Sequence, residues 1–327
     1  MPAAAPLYPD DAVLLAPLAD YTDYPYRREC RRCGCHFAFT PLVDAGCLAM
    51  APHKAQLDLY RGPDEPWLGV QILGARPDFF EEAIRIVNDH AFDVLDFNLG
   101  CPMPKVVNRG AGAALGANLP LALKCLEILV RRSRFPVTAK MRVLDAADPE
   151  PTVRFALALQ DAGIRALTIH GRVAKMIYAG PVAVKVIRAV REALCIPVIA
   201  NGGVFSRADL DALRTATGCG RVMVARGSIG NPWIFRELTA AAGTPPPAPV
   251  TQADVCEVLE REVRGMVELC GENLAFRCSR KIILSLMKGR GFHHELKTHV
   301  SQLHTIADFS AFLTALHHDF EPVPVTA

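Results

Sequence analysis

Eight short apolar runs divide the first 227 residues of the chain, and they begin 24 to 44 residues apart. Each run is rich in β-branched or aromatic residues, and most end in glycine or a polar residue. Continuous apolar runs, rather than alternation of apolar and polar residues, are typical of strands buried on both faces of a parallel sheet. The eight predicted strands are residues 13–20, 37–45, 67–74, 92–100, 136–143, 166–172, 197–203 and 221–227.

Stretches with helical periodicity lie between several of these runs. Apolar side chains form one stripe along residues 78–90, and residues 181–194 repeat the pattern. Ser206 is the predicted N-cap of a helix over residues 208–215. One helix per crossover, repeated eight times, predicts an α/β fold of the (β/α)8 TIM-barrel type. An open, doubly wound α/β sheet is the alternative, although such sheets usually have fewer strands.

The composition changes at residues 243–250, where three consecutive prolines stop any helix and stiffen a linker. Helical spacing of apolar residues returns beyond this point, which predicts a small all-helical region after the barrel. The predicted helices are residues 254–270, 273–288 and 305–317. The predicted organisation is a barrel domain over 1–242, a linker over 243–250 and a helical C-terminal domain over 251–327.

Charge and cysteine content limit the classes of protein that fit. The totals of 36 Lys+Arg and 34 Asp+Glu give no overall attraction to nucleic acid or membrane, so any such attraction must be local. No run approaches the roughly 18 apolar residues of a membrane span, and the start Met-Pro-Ala-Ala-Ala-Pro lacks the basic residues of a signal peptide. Eleven cysteines, an odd number, predict reduced thiols. We therefore expect a cytoplasmic protein that is monomeric, with no membrane attachment and no obligate protein partner.

Polar residues stand at the carboxyl ends of the predicted strands, which in a barrel all lie at one rim. That rim carries the working residues of barrel enzymes. The polar residues are Gln71, Asn98, Lys140, Arg142, His170, Arg172, Asn201 and Arg226. Their common position predicts a site at this rim.

The last two strand ends indicate a phosphate site. Gly202 and Gly203 allow the backbone to approach a ligand closely, and Arg226 adds a charged donor. A tight loop would also use glycines, so this signal is weak by itself. Lys140 is costly at a strand end unless it meets an anion, and reduced flavin is such an anion. Gln71 and Asn98 are suited to the edge of its ring.

Cys101 follows the fourth predicted strand, where its side chain would face the barrel mouth. A lone cysteine is more often a small core hydrophobe. A thiol with an ordinary pKa of about 8.5 stays protonated at neutral pH, however, and can act as an acid.

Residues 96–115, DFNLGCPMPKVVNRGAGAAL, closely resemble the signature of the tRNA-dihydrouridine synthases. The resemblance extends in order and with the family's spacing over about residues 12–237. Further matching segments are Ala-Pro-Leu-Ala at 16–19, Ala-Lys-Met-Arg at 139–142, Thr-Ile-His-Gly-Arg at 168–172, Ile-Ala-Asn-Gly-Gly at 199–203, Ala-Arg-Gly at 225–227 and Gly-Asn-Pro-Trp-Ile-Phe at 230–235.

The resemblance implies an FMN-dependent enzyme that reduces a uridine of tRNA to 5,6-dihydrouridine, with NADPH as the reductant of the flavin. It implies that Cys101 is the proton donor, which overturns the core reading of this residue. It implies no metal. The positions that match the family's FMN-binding residues are Pro17, Leu18, Ala19, Gln71, Lys140, His170, Asn201, Gly202, Gly203, Ala225 and Arg226.

We assign contacts with the tRNA substrate to residues at the rim and in the helical tail. The tail is basic over residues 277–297, although such a stretch is most often a solvated helix face. The assigned residues are Asn98, Arg142, Arg172, Tyr178, Arg277, Lys281 and Lys288.

The chain departs from the family pattern in the second strand, where Thr40-Pro41-Leu42 replaces a common Thr-Glu-Met and removes the carboxylate. We interpret Cys30, Cys33 and Cys35 as substituted core positions on the first helix. A metal site there, with His36 nearby, is the weaker interpretation.

Two other functions remain open. One is a different FMN-dependent barrel oxidoreductase that acts on a small-molecule pyrimidine or enone, and the other is a tRNA-binding module without catalysis. Bound flavin would exclude the module, and activity on tRNA rather than free uracil would exclude the small-molecule enzyme.

Overall fold

The computed structural model describes residues 7–241 and 243–318 and contains a closed barrel of eight parallel strands. The strands follow one another in chain order, and β8 pairs with β1. This closure confirms the predicted (β/α)8 barrel and excludes the open sheet. The strands are β1 (Val13–Leu15), β2 (Phe37–Asp44), β3 (Leu68–Leu73), β4 (Val94–Leu99), β5 (Val137–Arg142), β6 (Leu167–His170), β7 (Val198–Asn201) and β8 (Val222–Val224).

The helices surround the barrel and pack on its outer face. Phe97 of β4, for example, meets Phe80 of the preceding helix edge to face, with ring centroids 5.4 Å apart. The predicted N-cap Ser206 is confirmed, since its hydroxyl accepts the Asp209 backbone N–H. The helices around the barrel are α1 (Tyr24–Arg32), α2 (Ala45–Met50), α3 (Pro77–Asn88), α4 (Pro104–Val107), α5 (Leu119–Arg132), α6 (Glu150–Asp161), α7 (Val184–Ala193), α8 (Arg207–Thr217) and α9 (Ile234–Leu238).

Aromatic side chains close the amino-terminal end of the barrel. Tyr8, Phe37 and Trp67 meet one another there, with ring centroids 5.3 to 5.6 Å apart, and Phe39 packs on Trp67 from above. Such contacts combine a large buried apolar area with favourable edge-to-face geometry. The opposite end remains open.

The barrel interior becomes polar toward its carboxyl end. Gln71, Asp96 and Thr138 are direct neighbours across β3, β4 and β5, and Asn98 stands beside Lys140 one step higher. Because alternate residues of a strand share a face, all five side chains point inward. Several predicted strands are longer than the observed ones, because their last residues leave the sheet at this rim. Residues 16–20 are an example.

The tail consists of α10 (Gln252–Met287), α11 (His294–His299) and α12 (Ile306–His318). Gly271 interrupts α10 with a φ of 75° and a ψ of 160°, so the two halves match the two helices predicted from the sequence. The predicted linker, residues 243–250, contains neither helix nor strand.

The tail packs on α1 and shares one continuous hydrophobic core with the barrel. At the contact, a Cβ added to Gly230 would lie 2.2 Å from the Ser285 carbonyl oxygen, so only glycine permits this approach. The proposed domain boundaries stay a prediction. Residues 1–6, with the predicted absence of a signal peptide, and 319–327 of the predicted C-terminal domain lie outside the described residues.

No helix in residues 7–241 or 243–318 is both long and apolar enough to cross a membrane. Within the same residues, no group of His, Cys, Asp or Glu is arranged to hold a metal ion. Cys30, Cys33 and Cys35 are buried in the core behind α1.

Candidate active site

A cavity of about 530 Å³ opens at the carboxyl ends of the strands. Cavities of this size bind small molecules and cofactors. The structure brings all eleven predicted cofactor residues to its wall, together with Asn98, Cys101, Arg142 and Tyr178. It does not bring Arg172, Arg277, Lys281 or Lys288 to that wall.

The loop after β7 and the start of the loop after β8 form a cradle of backbone and guanidinium groups. Gly202 and Gly203 have φ of 127° and 76°, and a Cβ on Gly202 would lie only 3.0 Å from the His170 ring. Arg172 lies beside Gly203, and its Nη1 is buried without a hydrogen-bond partner. Because a buried unpaired guanidinium nitrogen is costly, this cradle suits an anion such as phosphate.

The Arg226 guanidinium, which adds a second positive charge at the cradle, stacks on aromatic rings. It lies 4.5 Å from the centroid of Tyr178 and 5.5 Å from that of Phe205. This stacking restrains Arg226 at the cavity wall, with its N–H groups available to an anion.

Lys140 stands deep in the cavity and is oriented by Asn201. Its Nζ donates to Asn201 Oδ1 at 3.1 Å, and Asn201 Nδ2 donates to the Met223 carbonyl at 2.7 Å. Burial, with help from Arg142, lowers the pKa of Lys140 to about 8. An anionic ligand would therefore stabilise the charged ammonium group.

His170 is buried beside the cradle and surrounded by cations. Burial, together with the positive charges of Lys140, Arg142, Arg172 and Arg226, lowers its pKa to about 2. The imidazole is consequently neutral at pH 7, so it can offer one N–H donor and one acceptor to a ligand.

Cys101 lies partly exposed at the cavity and not in the hydrophobic core. Asn98 Oδ1 accepts its backbone N–H at 3.0 Å, and its carbonyl accepts the N–H of Ala113 at 2.9 Å. A Cβ on Gly112 would lie 2.6 Å from that carbonyl oxygen. These contacts fix the backbone that carries the thiol.

Arg142 braces two rim loops, although the sequence assigned it to the substrate. Its Nε donates to the Gly100 carbonyl at 2.8 Å, and its Nη1 donates to the Ile177 carbonyl at 2.8 Å. Ile177 has a φ of 48°, which is strained for a β-branched residue. Arg142 therefore helps to hold the strained turn that presents Tyr178.

The assigned tail residues lie outside the cavity. Lys281 forms an ion pair with Asp20, which lines the cavity mouth. The tail therefore reaches the rim at this point. Lys288 is exposed beside a separate cleft, and Arg277 is exposed on α10.

Sequence reasoning assigned no role to Asp96, Thr138 or Leu42. Asp96 and Thr138 are buried and hydrogen-bonded inside the barrel, and Leu42 lines the cavity where the chain departs from the family pattern. Polar residues two positions apart on one strand, Asp96 and Asn98 in β4 and Thr138 and Lys140 in β5, were the available signal for the buried pair.

The fold and this site are those of a barrel protein with a cavity suited to an anionic ligand at its carboxyl-terminal rim. A family model described as "Dihydrouridine synthase (Dus)" matches residues 14–321. The chain therefore belongs to the dihydrouridine synthase family, whose members are flavin-dependent oxidoreductases, and the resemblance drawn from the sequence is confirmed.

Individual relatives match most of the chain. A tRNA-dihydrouridine synthase B from Pseudomonas aeruginosa is 34% identical over 273 residues, which cover 82% of this chain and 81% of that protein. A protein of the same name from Pectobacterium carotovorum is 32% identical over 94% of this chain and 96% of its own length. A probable tRNA-dihydrouridine synthase from Rhodobacter capsulatus is 33% identical over 83% of this chain and 85% of its own.

Proposed function

We propose that this protein reduces the C5=C6 double bond of uridine in tRNA to 5,6-dihydrouridine, with FMN as its flavin, NADPH as the reductant and Cys101 as the proton donor. The observation that supports this most strongly is the position of Cys101. This residue is partly exposed at a cavity whose wall also carries Lys140 and the cradle suited to phosphate.

The residues present fit FMN. Gly202, Gly203 and Arg226 would hold the phosphate, and the unpaired Arg172 Nη1 lies beside them to complete its donors. Lys140 would face the negative charge of the reduced ring, and neutral His170 would hydrogen-bond to the ligand. Pro17, Leu18, Ala19 and Ala225 would supply the apolar wall. We propose no metal.

When bound in its reduced form, FMN would supply the hydride that C6 of the uracil ring receives. Reduction there would leave enolate charge that C5 relieves by taking a proton, and Cys101 Sγ would donate that proton. Asn98 and the Ala113 N–H restrain the thiol during this transfer. The uridine must leave its stack to reach the cavity, as bases do in other enzymes that modify them.

We propose that the tail, with Arg277 and Lys288 exposed, contacts tRNA phosphates outside the cavity. Binding of this kind weakens steeply with salt because it releases counterions. Lys281 is already paired with Asp20, so it would contribute only if the ion pair opens. We further propose that the protein works as a monomer in the cytoplasm.

The test follows the flavin through both half-reactions. The purified protein should contain noncovalent FMN, NADPH should bleach it without oxygen, and unmodified tRNA should reoxidise it and gain dihydrouridine. Free uridine and a simple enone serve as matched oxidants. Reoxidation by the enone but not by tRNA would favour a small-molecule oxidoreductase, and a protein that takes up no flavin would contradict the proposal altogether.

A further inference from the structure

The polar layer inside the barrel contains one carboxylate that no step above uses. Asp96 is 1% exposed and stands beneath the cavity on β4. Its Oδ2 accepts from Gln71 Nε2 and its Oδ1 accepts from Thr138 Oγ1, each at 2.6 Å. Each oxygen of this buried carboxylate therefore has a hydrogen-bond donor.

A chain of hydrogen bonds leads from Asp96 to the backbone of Cys101. Gln71 donates from Nε2 to Asp96, and its Oε1 accepts from Asn98 Nδ2 at 2.7 Å. Asn98 Oδ1 then accepts two backbone N–H groups, those of Gly100 at 3.1 Å and Cys101 at 3.0 Å. All three side chains are buried.

Both ends of this chain have a fixed polarity. The backbone N–H groups can only donate, and an ionised carboxylate can only accept. An amide between them can turn by 180°, but a turn of Gln71 would bring its nitrogen against the Asn98 nitrogen and its oxygen against Asp96. Every link is satisfied in one arrangement, and the carboxylate at its end selects that arrangement.

We propose that Asp96 is a positioning residue that acts through Gln71 and Asn98 to hold the Cys101 backbone, and with it the thiol, at the cavity. The proposal rests on the proposed role of Cys101 as proton donor. Burial raises the pKa of Asp96 to about 6, so the group is mainly ionised at pH 7 and accepts from both of its donors.

Two substitutions of Asp96 distinguish its role as a hydrogen-bond acceptor from an effect of its negative charge. Asp96→Asn keeps an oxygen that can accept from Gln71, while its nitrogen can donate to Thr138 Oγ1. Asp96→Val is similar in size and suits a strand, but it accepts nothing. Thr138→Val is the matched control, because it removes the other donor to Asp96 and leaves the chain to Cys101 intact.

The first readout is hydrogen exchange of the Gly100 and Cys101 amides, which needs no substrate. Asp96→Val should speed their exchange about five- to tenfold, because each amide loses the stabilisation that one hydrogen bond provides. Asp96→Asn and Thr138→Val should stay within about twofold of the parent protein.

The second readout compares the rate of tRNA reduction with the rate of flavin reduction by NADPH. Asp96→Val should lower kcat for tRNA reduction by roughly 10- to 100-fold, the usual cost of a displaced reacting group, with KM for tRNA and flavin reduction by NADPH little changed. Asp96→Asn should restore kcat to within about threefold.

Equal loss in Asp96→Asn and Asp96→Val would show that the charge matters and would overturn the proposal. Unchanged exchange in Asp96→Val would overturn it as well. If Asp96→Val does not fold, Asp96→Ala takes its place because it only removes atoms. The parent protein could fail to reduce tRNA while Asp96→Val still speeds hydrogen exchange of the Cys101 amide. That result would refute the proposed function and leave the positioning role of Asp96 intact.

Discussion

The two ends of the barrel use opposite kinds of side chain. At the amino-terminal end, Tyr8, Phe37 and Trp67 fill the interior with aromatic rings. At the carboxyl end, glycines, cations and amides stand beside apolar side chains around an open cavity, and Phe205 and Tyr178 remain exposed at its mouth. The closed end therefore buries apolar area, whereas the open end keeps polar groups available.

The same strands supply both ends. The inward positions of β4 are Val94, Asp96 and Asn98, and they change from apolar to polar along the strand. Stability and function are thus separated along each strand rather than between strands. Substitutions at the two ends should affect different measurements, as barrel enzymes generally show.

The largest expected effect is at the open end. Cys101→Ala should lower the rate of flavin reoxidation by tRNA by about 10²–10⁴-fold, the usual contribution of a positioned acid. Flavin content, NADPH oxidation and the urea midpoint should not change. Cys195→Ala, at an exposed cysteine, is the control. A Cys101→Ala protein that reduces tRNA at the parent rate would return this cysteine to a packing role.

The closed end should show the reverse pattern. Trp67→Ala should lower the free energy of unfolding by about 3 kcal/mol, the low end for aromatic truncation because Trp67 is only partly buried. Trp67→Phe should cost less. Urea unfolding followed by circular dichroism measures the loss. The folded fraction should keep its turnover number, and a large fall in that number would mean that the two ends are coupled.

The cofactor cradle gives a smaller effect at the open end. Arg226→Ala should weaken FMN binding by about 10- to 100-fold, since charge-assisted hydrogen bonds contribute about 1.5–3 kcal/mol. Titration of the apoprotein with FMN measures the dissociation constant. Arg154→Ala, on an exposed helix face, provides the comparison. Equal affinity in both variants would remove Arg226 from the phosphate site.

The tail contact near the open end adds a pH-dependent contribution to stability. Glu262 of α10 is fully buried, and neither carboxylate oxygen has a hydrogen-bond donor when the group is ionised. Burial raises the pKa of Glu262 well above its usual value, and the neighbouring Asp23 raises it further. Burial also raises the pKa of Asp23 to about 6. A proton shared between the two carboxyl groups, held by Glu262 and donated to Asp23, explains why Asp23 raises the pKa of Glu262.

Because both pKa values are higher in the folded state, this pair stabilises the fold below pH 4. The contribution is lost as the pH rises through 6 and above. Glu262→Gln should flatten that decline between pH 5 and 8, since its amide can donate to Asp23 at every pH. Urea midpoints across this range measure the slope, with the exposed Glu260→Gln as control. Parallel slopes in all three proteins would contradict the shared proton.

The helical tail shows which structural features a local sequence pattern can predict. Its break was predicted between residues 270 and 273, and the structure places it at Gly271, because helical periodicity and glycine act over a few residues. The ion pair between Lys281 and Asp20 was not predicted, since those residues are 261 positions apart in the chain. The bracing role of Arg142 likewise depends on carbonyls of two separate loops.

The sequence by itself determined the eight strands, their order, the glycines of the cradle and the position of Cys101 after the fourth strand, because each depends on short-range pattern or on a specific motif. The tertiary structure decided the closure of β8 on β1 and the pairing of Gln71, Asp96 and Thr138 across three strands. It also decided the burial of Glu262 beside Asp23, the N-cap of α1. These features depend on which distant side chains meet, and that is set by strand register and helix packing over the whole barrel.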